Sequence, residues 1–243
     1  MFKKEEKPKI EFISRVPELM EIEECLPKPA KYFIPEWWKN IPLAKSPIET
    51  TIKECPGFPD FFSQGYIIPM WMDSHLRYSK ETDTWGSESS RLMAPWEIHN
   101  HGQFLNHTSV SMYGEKASIA FKSNSPWLIK TPPGYSVFQM PLFYHFNGDY
   151  SVLPGVVDTD IHTEMNQQVL YHSDKQEIFI KRGDPFVLYI PFKRTKYEMS
   201  VRAATEDDKK NFSKESFNYL TKFAGEGAYR TLQRIRDKKE KNK

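Results

Sequence analysis

Two cysteines in 243 residues, Cys25 and Cys55, are too few for a disulfide framework, and neither stands in a CxxC or other metal-type spacing. Free thiols in a reducing compartment are the simplest reading; a single bridge between the two is the alternative. No apolar run reaches the length needed to span a bilayer. The opening "MFKKEEKPKI" also lacks the apolar core of a signal peptide, so neither a membrane span nor a secretory leader is expected. Charge of one sign is missing as well. The 34 basic and 32 acidic residues leave a formal net charge of +2, which gives no global field toward nucleic acid. The small basic surplus sits at the ends, in Lys3–Lys4 and in "RIRDKKEKNK" at 234–243, and reads as solvated tail. No internal repeat is visible.

What is present is apolar and aromatic material for one core: 39% hydrophobic residues, with 17 Phe, 12 Tyr and 6 Trp. The length fits one large domain or one domain with appendages. Prolines outnumber glycines, 18 to 11, which favours extended segments and turns over long helices.

Residues 1–60 read as a Pro-punctuated arm. "IPEWWKNIP" (34–42) predicts one short helix, with Pro35 in the first turn and Pro42 beyond its end. Trp37 and Trp38 are expected to clamp this arm on the main domain. In "DFFSQGYIIPMWMD" (60–73) a helical turn passes into a strand, with Gly65 as the break. From 65 to about 202, within an expected domain of 61–202, the signals are β. "KASIAFK" (116–122) alternates apolar and polar residues, and "YSVFQMP", "QQVLYH", "QEIFIKRG" and "DPFVLYIPF" follow at short spacing between turn-forming clusters. An antiparallel barrel or sandwich is the expected architecture. Val156, Val157, Val169, Ile178, Ile180, Val187 and Ile190 occupy the apolar phase and are the expected core. Residues 203–243 predict two helices and a basic tail. Thr205 with Asp208 forms a start signal, Phe212, Phe217, Leu220 and Phe223 a rough stripe, and "AGEG" (224–227) a break.

"LPGVVDTDIHTE" (153–164) predicts a hairpin whose crest is Asp158-Thr159-Asp160, and "RGDP" (182–185) predicts a second hairpin turn. On a regular strand Asp158 and Asp160 share a face, which suits a paired-carboxylate metal site. Capping of the turn's backbone amides is the preferred alternative.

The order of these segments resembles the dUTPase and dCTP-deaminase superfamily of β-clip fold. The matching positions are Pro133-Gly134-Tyr135, then Gly155-Val156-Val157-Asp158-Thr159-Asp160, then Ile180 with Gly183-Asp184, within 129–194. The resemblance implies a mainly-β, β-clip barrel or sandwich, and Asp158 in the place of the aspartate that activates water. A carboxylate there can hold water and a metal-bound phosphate in reach. It also implies a homo-oligomer, a trimer in the relatives, with Mg²⁺ required only if nucleotide is hydrolysed. Three features depart from that pattern. Ile161 stands where the family packs an aromatic on deoxyribose. "FQMPLFYH" (138–145) stands where an Arg-Ser-Ser segment contacts phosphates. "AGEGAYR" (224–230) is a faint echo of the Gly-rich cover. A triphosphate needs several donors and positive charge, so dUTP hydrolysis is not expected. A ligand site kept from the scaffold would be walled by Tyr135, Phe138, Ile161 and His162, with Asp158 at its floor.

Over most of its length the chain is also similar to an uncharacterised family of tailed-bacteriophage proteins, on "YIPEWWKNIP", "TIKECPGFPDFFSQGYIIP", "SPWLIKTPPGYS", "LPGVVDTD" and "GDPFVLYIPFKR". This implies a phage protein in the host bacterial cytoplasm during infection or in the virion, with a virion or host partner. A third possibility rests on histidines. His99 and His101 in "EIHNHGQFLNH" are two apart, His107 follows, and His145 or His162 could complete a zinc or iron centre. Gln103 and Asn106 stand where a carboxylate ligand belongs, and Gly102 breaks the strand, so a polar loop is the preferred reading. The functional readings, in order, are a non-hydrolytic binding or assembly protein, a nucleotide pyrophosphatase or small-ligand enzyme using Asp158, and a His-ligated metalloprotein.

Overall fold

The structure, a computed structural model, describes residues 7–43, 51–79, 81–82, 84–89, 96–98, 119–171, 177–211 and 228–241. The strands in the first half of the chain are β1 (Glu11–Ser14), β2 (Lys28–Pro29), β3 (Tyr66–Pro69), β4 (Ser74–Ser79), β5 (Thr84–Ser89) and β6 (Trp96–Ile98). Then come β7 (Ile119–Asn124), β8 (Trp127–Lys130), β9 (Tyr135–Met140), β10 (Tyr150–Val152) and β11 (Gly155–Val157). β12 (Asn166–Tyr171), β13 (Glu177–Ile180) and β14 (Pro185–Lys193) follow among the described residues. The α-helices among the described residues are α1 (Glu36–Asn40), α2 (Gly57–Phe62), α3 (206–211) and α4 (Ala228–Lys241).

The architecture is mainly β, with sheets packed as a sandwich and no closed barrel among the described residues. A five-stranded sheet runs β11-β9-β14-β3-β2 and a four-stranded one runs β10-β12-β7-β6. Smaller sheets, β13-β4-β5 and β1-β8, flank them, and the pairings are antiparallel. One core is fed from all four sheets, with Ile68, Trp127, Val137, Val169, Ile178, Ile180, Phe186 and Val187 fully or nearly fully buried. The two large sheets also share a buried polar link. Gln167 of β12 donates to the Tyr189 hydroxyl at 2.8 Å, and that hydroxyl donates to Gln139 Oε1 of β9 at 3.0 Å. Burial raises the Tyr189 phenol's pKa well above the usual value, so it remains a donor.

Two expected hairpins are absent. β11 pairs with β9 and not with β12, and β13 pairs with β4 and not with β14. Short turns at 158–165 and 181–184 therefore carry the chain from one sheet to another, as a sandwich requires of strands adjacent in sequence. The expected core also needs correction at its edge. In β11, Val157 lies opposite buried Val137, so Val156, opposite Phe138, points outward and is 56% exposed. Ile190 shares that outward row with Phe138 and is half-buried, as is Val157.

The chain divides into two compact units, 1–35 with 63–194, and 36–62 with 195–243. β1 pairs with β8 and β2 with β3, which ties the first 35 residues into the β unit. Within the second unit α1 begins after Pro35 and ends before Pro42, as its prolines require. Trp38 is buried there by stacking on Phe58, centroids 5.2 Å apart, and by an edge contact with Phe62 at 5.1 Å. Trp38, one of the two tryptophans expected to clamp the arm, thus packs within its own unit. At the start of α3, Asp208 N–H donates to Thr205 Oγ1 at 3.2 Å and Thr205 N–H to Asp208 Oδ2 at 2.9 Å, a reciprocal cap. Residues 212–223, with the expected apolar stripe, lie outside the described residues. No described helix is long and apolar enough to cross a membrane.

Candidate functional site: a charged turn at the end of the large sheet

The turn after β11 is built by backbone first. Ile161 N–H and His162 N–H both donate to the Asp158 carbonyl, at 3.0 and 2.9 Å, which coils 158–162 tightly. That coil ends the strand at Val157, so Asp158 and Asp160 do not sit on a regular strand face. Thr159 points inward and is fully buried, its hydroxyl 2.7 Å from that of Thr131. Thr131 also donates to the Tyr135 carbonyl at 3.2 Å and so ties the turn to the Pro-Pro-Gly corner. Gly134 has φ +82, a conformation that glycine adopts without steric cost.

Arg194 brings the two carboxylates together. β14 runs beside β9 in a register that places Lys193 opposite Tyr135, and the next residue's N–H donates to the Gly134 carbonyl at 2.8 Å. From there the guanidinium grips both Asp160 oxygens, Nη1 to Oδ1 at 2.9 Å and Nη2 to Oδ2. Nη1 also lies 3.1 Å from Asp158 Oδ1 and donates to Ser136 Oγ at 2.8 Å. Ser136 Oγ donates in turn to Asp158 Oδ1 at 2.6 Å, and Gly134 N–H donates to Asp160 Oδ2 at 2.8 Å. The Arg194 hydrogen bonds first, and then the Gly134 amide, hold the Asp160 carboxyl down to about 2. The Asp160 side chain is 7% exposed and that of Asp158 47% exposed. Asp158 Oδ2 has no protein partner among the described residues.

The two aspartates are therefore unequal. Asp160 is a positioning group that locks corner, turn and strand end. Asp158 is half-open, with one oxygen facing outward. A divalent cation bridging Asp158 and Asp160 would compete with the guanidinium that both carboxylates already share. The other residues expected at the site lie around this cluster as surface. Phe138 faces outward beside Val156 and stacks on Phe192, ring centroids 4.3 Å apart. Ile161 and His162 are exposed, and Tyr135 is half-buried with its carbonyl 3.3 Å from Arg194 Nη1. His99, His101 and His107 lie outside the described residues. Among the described residues no cluster of three or more potential metal ligands occurs.

Arg194 and Ser136 are the members of this site that sequence reasoning did not single out. The available signal was an arginine directly after a long apolar strand, 34 residues from its carboxylate partner, and only the β14–β9 register joins them.

No family model matches the chain, and no curated protein matches it. Solved structures similar to it include a dUTPase from phage phi11 of S. aureus at 11% identity, covering 38% of this chain and 77% of that one, with a TM-score of 0.28. A Staphylococcus bacteriophage 80alpha dUTPase aligns at 10% identity over 38% of this chain and 78% of its own, with a TM-score of 0.27. A second 80alpha dUTPase structure covers 68% of this chain and 94% of its own at 10% identity, with a TM-score of 0.33.

Proposed function

We propose that this chain is a phage-encoded binding or assembly protein on a dUTPase-like scaffold, one that docks a partner rather than hydrolysing nucleotide. The scaffold and origin rest on the sequence resemblances at 129–194 and along the chain. The observation that carries the function is the charge-compensated turn set in an apolar surface. Arg194 and Ser136 occupy the carboxylates that hydrolysis would use, while Val156, Phe138 and Ile161 stand exposed around them. A general base must be free to accept a proton from water, and only Asp158 Oδ2 is open to one, because Oδ1 already accepts from a hydroxyl and lies beside a guanidinium. Exposed apolar side chains rimmed by paired charges have the composition of a protein contact. The partner is a second copy of the chain or a virion or host protein, met in the bacterial cytoplasm during infection. The relatives suggest a trimer.

Incubation of the full chain with dUTP or dCTP and Mg²⁺ should release no pyrophosphate above background. Release that disappears in Asp158→Asn would promote the alternative, a nucleotide pyrophosphatase or small-ligand enzyme in which Mg²⁺ loosens the Arg194 clamp.

A further inference from the structure

Away from the charged turn, the loop joining β9 to β10 borders a half-open pocket of about 180 Å³ in the β unit. At roughly 30 Å³ per water, this is space for about six waters, or for an organic molecule of about that many non-hydrogen atoms. Its lining includes His145, Asn147, Tyr150, Asp184 and Phe186. The loop is held in an unusual shape. Tyr144 and Phe146, on either side of His145, have φ of 67° and 50°, a left-handed conformation that bulky residues rarely adopt. Asn147 Oδ1 fixes the loop's exit by accepting from Asp149 N–H at 2.9 Å and Tyr150 N–H at 3.4 Å.

The cavity's chemistry has one sign. Asp184 is its only carboxylate, and neither lysine nor arginine lines it. Asp184 Oδ2 accepts from Lys181 N–H at 3.0 Å, and no cation pairs with the carboxylate among the described residues. Burial lowers the His145 pKa, so its imidazole adds an acceptor and no charge at neutral pH. Burial first, and then the Asp184 charge, raise the Tyr150 pKa, so no phenolate forms. Tyr150 supplies an aromatic wall, backed by Phe186, which is 1% exposed, with the centroids 5.9 Å apart at 45°.

We propose that this cavity is a binding site for a small organic cation of the ammonium class, seated between the Asp184 carboxylate and the Tyr150 ring. An aromatic wall beside a carboxylate attracts such a cation through both the ring quadrupole and the charge. An anion would meet a carboxylate and no counter-charge. The site is separate from the docking surface proposed above and does not depend on it.

The test is calorimetric titration of the full chain with choline and with 3,3-dimethylbutan-1-ol, its neutral carbon isostere. Choline should bind about tenfold or more tightly than the isostere. Asp184→Asn and Tyr150→Leu should each weaken choline by a similar factor. Glu198→Gln, which removes an exposed charge outside the cavity, should leave binding unchanged. Equal affinity for the two probes, or no heat with either, overturns the proposal. Because the isostere comparison uses the parent chain, it stands even if a variant fails to fold. Pyrophosphate release from dUTP would refute the reading of the 158–160 turn and leave this site untouched.

Discussion

Arg194 does at the 158–160 turn what a bound metal does elsewhere: it holds two carboxylates in one place without leaving either charge unmet. Its planar fork matches Asp160 at both oxygens, a geometry lysine cannot reproduce. The linkage to pH follows from Asp160. Its folded-state pKa, about 2, lies below the unfolded value of about 3.9. Its contribution is thus complete above about pH 4 and is lost as the pH falls toward 2, where the folded carboxyl finally takes up a proton. Urea midpoints of the parent and of Asp160→Asn should therefore differ at pH 6 and converge toward pH 2. Arg194→Lys should lower the pH 6 midpoint as well, since it keeps charge but loses the fork. A gap between parent and Asp160→Asn that does not change with pH would mean that the contact adds no net stability.

At the scale of elements, strand positions were legible and their partners were not. β-branched and aromatic residues bounded by turn clusters mark β9 in "YSVFQM" and β13 in "EIFI" almost to the residue. That signal does not say which strand lies alongside. Adjacency suggested that β13 would turn back on β14, yet Ile178 and Ile180 pair with Leu76 and Ser74 of β4, more than a hundred residues earlier. The charged turn was half legible for the same reason. Asp158 and Asp160 stand in a recognisable motif, whereas Arg194 belongs to the site only through register. Gly65 was readable as a break, and its setting shows why the break must be glycine. It has φ +70, and a Cβ there would sit 2.2 Å from the Tyr189 carbonyl oxygen of β14, a backbone atom that cannot step aside. Gly65→Ala should destabilise the fold by at least the ~1–3 kcal/mol of a strained backbone position, with the clash added. A midpoint in urea within error of the parent's would show that the entry into β3 can re-route.

For the whole molecule, the open question is what covers its exposed apolar side chains. The segment between β14 and α3 has no regular structure, and it presents Tyr197, Met199 and Val201 at 87, 85 and 82% exposure. Residues spaced by two fall on one face of a strand when such a segment pairs with a sheet edge. Their neighbours Glu198, Ser200 and Arg202 would then form the opposite, polar face. A chain that left three large apolar residues in water with no partner would carry an aggregation liability for nothing. If the segment is an assembly contact, Tyr197→Ser, Met199→Ser and Val201→Ser together should lower the mass measured by light scattering on a sizing column. Circular dichroism and melting of the dissociated chain should then show the β sandwich intact, because none of the three side chains contributes to its core. An unchanged mass would move the contact elsewhere, and the outward row of Val156, Phe138 and Ile190 would be the next surface to alter. A parent already monomeric at tens of micromolar would instead point to a different protein as the partner.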